Sequence, residues 1–177
     1  MRTEQIILLI INILGGAAVI GSYILGLKSQ TGGANVLWGN VPTNIRPVYT
    51  VSMILSALGY FAFLYYIFFR LNPAQISIAG VSGFTMFYVI FLGILIASAF
   101  WMPLTNMYVS NPGTGIWIGI RVVLAVVGLA SIALFVALLT LQGKVSGTAY
   151  WLAVAGSGYF AFHTAILDAI VWAALFK

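Results

Sequence analysis

The sequence predicts an all-α fold, a single domain built as a bundle of five membrane-spanning helices. Three observations carry that reading. Five apolar runs are each long enough to cross a bilayer, which takes about 20 residues. Only 5% of the 177 residues are charged and 63% are hydrophobic, whereas a soluble domain is about a quarter charged. An open sheet in lipid would leave backbone groups unpaired, so the runs must be helices.

The runs cover 6–27, 48–69, 76–102, 116–141 and 148–176. The first exceeds the roughly 7–15 apolar residues of a cleavable signal, so it reads as a retained helix. The third and fifth are long enough to tilt or to begin before the membrane. Segments 28–47 and 103–115 are polar connections rich in Gly, Asn and Pro, while 70–75 and 142–147 are short. Alternation places both longer loops and the C-terminus on one side. Arg2, Arg70 and Lys144 on the short-loop side nearly balance Lys28, Arg46 and Lys177 on the other. The reading adopted puts the short loops in the cytosol. No internal repeat is evident. Gly115/Gly119, Ala17/Gly21 and Gly93/Ala97 are small-xxx-small pairs that let helices approach closely. They read as packing within the chain, with a homodimer seam as the alternative.

Composition excludes several functions. The absence of cysteine removes disulfides, thiolate nucleophiles and Cys-ligated metals. A single histidine leaves no bis-histidine haem site within one chain. The bases are scattered singly, so no nucleic-acid interface is expected. No G-x-S-x-G, HExxH, carboxylate pair or phosphate-cradling loop is present, so neither catalytic nor metal-binding residues are assigned.

What chemistry remains is confined to a few side chains. Of the two acids, Glu4 sits at the N-terminal tip and Asp168 inside the last apolar run, five residues after His163. Ionisable groups in lipid are costly and normally face a protein interior or a cavity. Arg121 and Asp168 fall at similar depth near the long-loop side and are expected to form an ion pair. On an α-helix His163 lies roughly 140° around from Asp168, so contact between the two is not required. Ser157, Ala161, Thr164 and Asp168 share one face, as do Tyr49, Ser52, Ser56 and Tyr60. The third run ends in Trp101, Pro103, Thr105 and Asn106. All these groups converge on one mouth beneath the loop that carries Trp38. An apolar cavity with a few convergent polar groups is the default site for a small amphipathic ligand.

The arrangement at that mouth resembles the translocator protein family, the TspO or tryptophan-rich sensory proteins. The first loop carries Trp38 and Pro42, similar to the family's Trp-x-Pro-Pro loop, although its spacing is one residue longer and the second proline is missing. Pro47 opens the second run, with Leu58-Gly59 about three turns on. Trp101-Met102-Pro103-Leu104 is similar to the family's Trp-x-Pro-Leu/Ile segment, and Val171-Trp172 ends the fifth run. The asparagine that usually precedes the third-run tryptophan is absent. The resemblance implies a cavity among the helices, lidded by the first loop, that binds tetrapyrroles or sterol-like lipids, with Trp38, Pro42, Tyr49 and Trp101 lining or capping it. The stretch from Leu64 to Arg70 also fits the loose sterol-contact motif.

The expected function is binding or transport of a small hydrophobic ligand in the bilayer, with Asn106, Arg121, His163 and Asp168 joining those four residues. The alternatives are an accessory subunit of a larger membrane complex, and a proton or ion pathway through Asp168, His163 and Arg121.

Overall fold

Long apolar runs satisfy their backbone groups most simply within themselves, and the chain is dominated by helices. A computed structural model describes residues 2–29, 33–78 and 80–177; residues 30–32 of the first loop and residue 79 of the expected third span lie outside these. Helices α1 (Thr3–Ser29), α2 (Arg46–Phe69), α3 (Phe84–Ser110), α4 (Thr114–Leu139) and α5 (Thr148–Ala161) follow in order. The last continues as a π-helix over Phe162–Trp172 and closes with an α-turn, Ala173–Leu175. Five helices are long and apolar enough to cross a membrane. Four of the predicted spans lie within three residues of these limits.

The third span is displaced. Ile76 does not start a helix, because 76–83 forms a hairpin of β1 (Ser77–Ile78) and β2 (Val81–Ser82) instead. Gly80 supplies the left-handed backbone that its turn needs, φ +81°. Strand β3 (Leu141–Gln142) pairs antiparallel with β1, which joins the two short connections at one end of the bundle. Buried Ile76, Ile78 and Leu141 floor the core there. At its other end α3 runs through Pro103 to Ser110. Proline removes one helical hydrogen bond, and the Thr105 hydroxyl braces the following turn by donating to the Trp101 carbonyl at 2.8 Å.

The helices form a ring with one gap. α1 packs on α3, α3 on α4, α4 on α5 and the π-helix, and α5 on α2, while α1 and α2 barely meet. Small residues set these approaches. Gly59 of α2 and Gly156 of α5 stand backbone to backbone, so a Cβ on Gly59 would lie 2.6 Å from the Gly156 carbonyl oxygen. On α1, Gly15 faces Leu95 and Gly26 faces Met102. Gly93 sits against Ala130, whereas Gly21 and Gly115 have open space around them. Among the pairs singled out in the sequence, Gly93/Ala97 therefore packs within the chain; Gly21 and Gly115 face outward.

Two cores fill the bundle. One, around Phe63, Tyr66, Phe87, Phe91 and Leu138, lies at the hairpin end. The other, around Val41, Tyr49, Trp117, Ile120 and Trp172, lies at the long-loop end. The outer surface is also apolar: Leu14, Leu25, Phe61, Val89 and Leu129 are all exposed.

The glycine crossing gives a stability prediction. Gly59→Ala should destabilise the fold by about 1–3 kcal/mol, because neither backbone can yield without separating α2 from α5. Gly115→Ala, into open space, should stay within about 0.5 kcal/mol of the parent. Thermal unfolding of the two variants side by side in one detergent checks this, and equal melting points would refute the close contact.

Candidate functional site

The gap between α1 and α2 leads into a cavity of about 850 Å³, within the range of roughly 300–1,000 Å³ usual for small-molecule sites. All five helical spans and the first loop contribute to its wall. Ile13, Ile20, Met53 and Phe61 both line it and remain exposed, at 59%, 62%, 48% and 69%. The cavity thus opens sideways through the gap. Toward the hairpin end the gap is tied shut. The Gln5 amide donates to the Phe68 and Leu71 carbonyls at 2.8 and 3.2 Å, and Tyr60 Oη donates to Asn12 Oδ1 at 2.7 Å.

The first loop covers the other end. Its 3-10 helix, Gly33–Trp38, sends Ala34, Leu37 and Trp38 to the cavity wall. Trp172 Nε1 donates to the Leu37 carbonyl at 3.0 Å, and the Asn40 amide donates to the Phe176 carbonyl at 3.3 Å. Gly39 can pass that carbonyl because it has no Cβ and takes a left-handed φ of +49°. Trp38 meets Tyr49 edge-on with ring centres 5.8 Å apart. Arg46 lies 5.7 Å from the Trp38 ring, and its Nε donates to the Val41 carbonyl.

The polar wall is built by the π-helix. Its i→i+5 hydrogen bonds place residue i+5 near residue i, and His163 Nε2 stands 3.6 Å from Asp168 Oδ2. An α-helix would have separated them. His163 Nδ1 is 2.9 Å from Ser52 Oγ, which in turn accepts from Tyr159 Oη at 3.1 Å. The roles in this series follow the His163 tautomer: with its proton on Nε2, Ser52 Oγ donates to Nδ1 and the N–H faces Asp168; with the proton on Nδ1, Ser52 Oγ accepts from it. Tyr49 Oη donates to the Leu167 carbonyl at 2.7 Å, which fixes α2 to the π-helix.

Aromatic rings line the same cavity as Asp168. Tyr23 and Trp101 rings lie 5.5 Å apart, and Trp101 and Trp172 meet edge-on at 5.4 Å. Tyr23 and Tyr49 are within electrostatic reach of Asp168. Trp101 Nε1 and Ser56 Oγ are buried with no hydrogen-bond partner among the described residues. Both residues line the cavity.

Of the residues singled out in the sequence, Trp38, Tyr49, Trp101, His163 and Asp168 come together here. Three do not. Pro42 is exposed beyond the lid. Asn106 donates to the Gly26 carbonyl and Ser29 Oγ at 3.1 and 3.3 Å, joining α3 to the end of α1 outside the main cavity. Arg121 is exposed and forms no ion pair with Asp168, which corrects that expectation. The inward stripe of α4 runs through Trp117, Ile120, Leu124 and Val127, and Arg121 falls to one flank of it. The sequence reading passed over Asn12 and Tyr23. Their signal was the spacing Asn12, Gly16, Val19, Tyr23, one face of an otherwise apolar helix.

Chemically the wall could bind and orient a small molecule. Ser52 is buried outside the cavity lining, so the Ser–His–Asp set presents no nucleophile to a bound molecule. Among the described residues no cluster of ligating side chains could hold a metal ion.

The fold and site together define a five-helix apolar bundle with a lidded, side-opening cavity. No family model, curated protein or solved structure matches the chain.

The lid attachment is testable. Trp172→Phe keeps the ring but deletes the donor to Leu37, a bond worth about 1 kcal/mol, so amide exchange across 36–41 should quicken about five-fold. Unchanged exchange would mean that the loop is held by other contacts.

Proposed function

We propose that the chain is a multi-pass membrane protein that takes up a small hydrophobic or amphipathic ligand from the bilayer into the cavity between α1 and α2. One observation carries the reading. A largely apolar cavity of about 850 Å³ carries a few polar residues on its wall, Asn12, Tyr23, Tyr49 and the His163–Asp168 pair. An apolar cavity with a few convergent polar groups is the usual form of a small-molecule site. The exposed apolar outer surface supports placement in lipid. The side gap, flanked by Ile20 and Phe61, then faces acyl chains.

The likeness to the translocator protein family supports the same reading, since a first-loop lid over a cavity is what that likeness implies. Of the two ligand classes it suggests, the wall suits a sterol-like hydroxyl better than a propionate-bearing tetrapyrrole. No Lys or Arg lines the cavity, so carboxylates would meet Asp168 unscreened.

Binding is tested with purified protein in nanodiscs. A fluorescent sterol should take up energy transfer from the tryptophans, and Trp101→Ala should weaken this at least several-fold. Protoporphyrin absorbance and a radiolabelled alkyl alcohol complete the panel. No protein-dependent signal from any of the three removes the reading.

A second reading, a proton route, rests on the hydrogen-bonded series Tyr159–Ser52–His163 with Asp168 3.6 Å beyond the imidazole. It requires a pH-driven flux in proteoliposomes that Asp168→Asn abolishes. Flux that persists in the variant, or none in the parent, ends it.

A further inference from the structure

We propose that the cavity's ligand is an organic cation with an apolar tail, its ammonium group held by Asp168 inside the aromatic wall. This rests on the ligand-binding reading and narrows it to one chemical class.

The charge pattern comes first. Among the described residues, Asp168 is the only acid on the cavity wall, and no Lys or Arg joins it. The two cations nearest the lid are engaged elsewhere: Arg46 with Trp38 and the Val41 carbonyl, Lys177 over the Trp117 ring at 4.7 Å. The basic atom that approaches the carboxyl is His163 Nε2, and at 3.6 Å the contact exceeds hydrogen-bond length. The Asp168 side chain is 32% exposed, and the residue lines the cavity. The wall therefore offers an acid with no Lys or Arg among the described residues beside it.

The rings supply the second part. Tyr23, Trp101, Trp172 and Tyr49 line the same cavity as the carboxyl, and an ammonium group near aromatic faces gains cation–π attraction, more so when desolvated. Trp and Tyr cages beside an acid are the usual chemistry for alkylammonium recognition. An anionic ligand would meet repulsion here, and a neutral one would leave the carboxylate uncompensated.

The third part is shape. Away from Asp168 the wall becomes apolar through Ile13, Leu9, Leu64 and Phe68. The tail would lie there, along the side gap, where an amphiphile already aligned in a bilayer can slide in without leaving lipid.

The test compares three radiolabelled twelve-carbon probes in nanodiscs, with empty-disc binding subtracted: dodecyltrimethylammonium, dodecanol and dodecanoate. The cation should bind at least about ten-fold tighter than the alcohol, corresponding to about 1.4 kcal/mol, and the carboxylate weakest. Asp168→Asn should erase the cation's advantage over dodecanol, and a melting point in the same discs close to the parent's reports that the variant is folded. Trp101→Leu should weaken the cation more than the alcohol. Equal binding of all three, a preference for dodecanoate, or full cation affinity in Asp168→Asn overturns the proposal and leaves the cavity reading standing. Binding of none of them overturns both. Titration in phosphatidylcholine and in phosphatidylglycerol discs separates the sources of the ammonium group. Competition confined to the choline lipid assigns the site to a lipid headgroup, and equal binding assigns it to a free amphiphile.

Discussion

The contact between Gly59 and Gly156 decides where this bundle can hold a ligand. With no side chain on either residue, α2 lies flat against α5, and the short distance commits α2 to that neighbour along its length. α1 is committed elsewhere, to α3, by Gly15 on Leu95 and Gly26 on Met102. Five helices could have closed into a full ring. Two sets of small residues pull the first and second helices apart instead, and the space between them is the cavity. Gln5 and Asn12 bridge that space only at the hairpin end.

The π-helix is the second determinant, and it acts on chemistry where the glycines act on shape. Widening the turn over Phe162–Trp172 brings His163 and Asp168 to one side. It also presents the Leu167 carbonyl to Tyr49. π-turns are uncommon and occur frequently at functional sites. Here the consequence is concrete: a buried serine holds one nitrogen of the histidine, and the other nitrogen faces the acid. Gly128, which meets Ala165 closely, leaves room for the wider turn against α4.

Much of this was legible in the residues, for reasons that also explain what was not. Run length fixes where a helix crosses lipid, and four spans followed from it. The third failed at both ends. Hydropathy cannot tell Ile76 and Ile78 in a short hairpin from the same residues in a helix, and Pro103 reads as a stop although a helix with braced neighbours can pass through it. Rarity located the site: tryptophans, a lone acid and a lone histidine stand out in an apolar chain, and Trp38, Tyr49, Trp101, His163 and Asp168 do meet. Arg121 misled because depth along a helix says nothing of direction around it. The π-turn left no mark, since nothing in the order of residues from Phe162 to Trp172 tells an i→i+5 turn from an α-helix.

These features bear on one another through charge. An acid inside an apolar bundle is a standing cost unless something answers it. The obvious candidate, Arg121, faces outward, and the imidazole that does approach stands 3.6 Å away. Packing could have removed the problem by burying Asp168 against hydrophobic side chains. Instead the π-turn sets it on the wall of an open cavity that Tyr23, Trp101 and Trp172 also line. The proposed cation would answer that carboxyl with its charge, while its apolar tail met Ile13 and Phe61 along the gap.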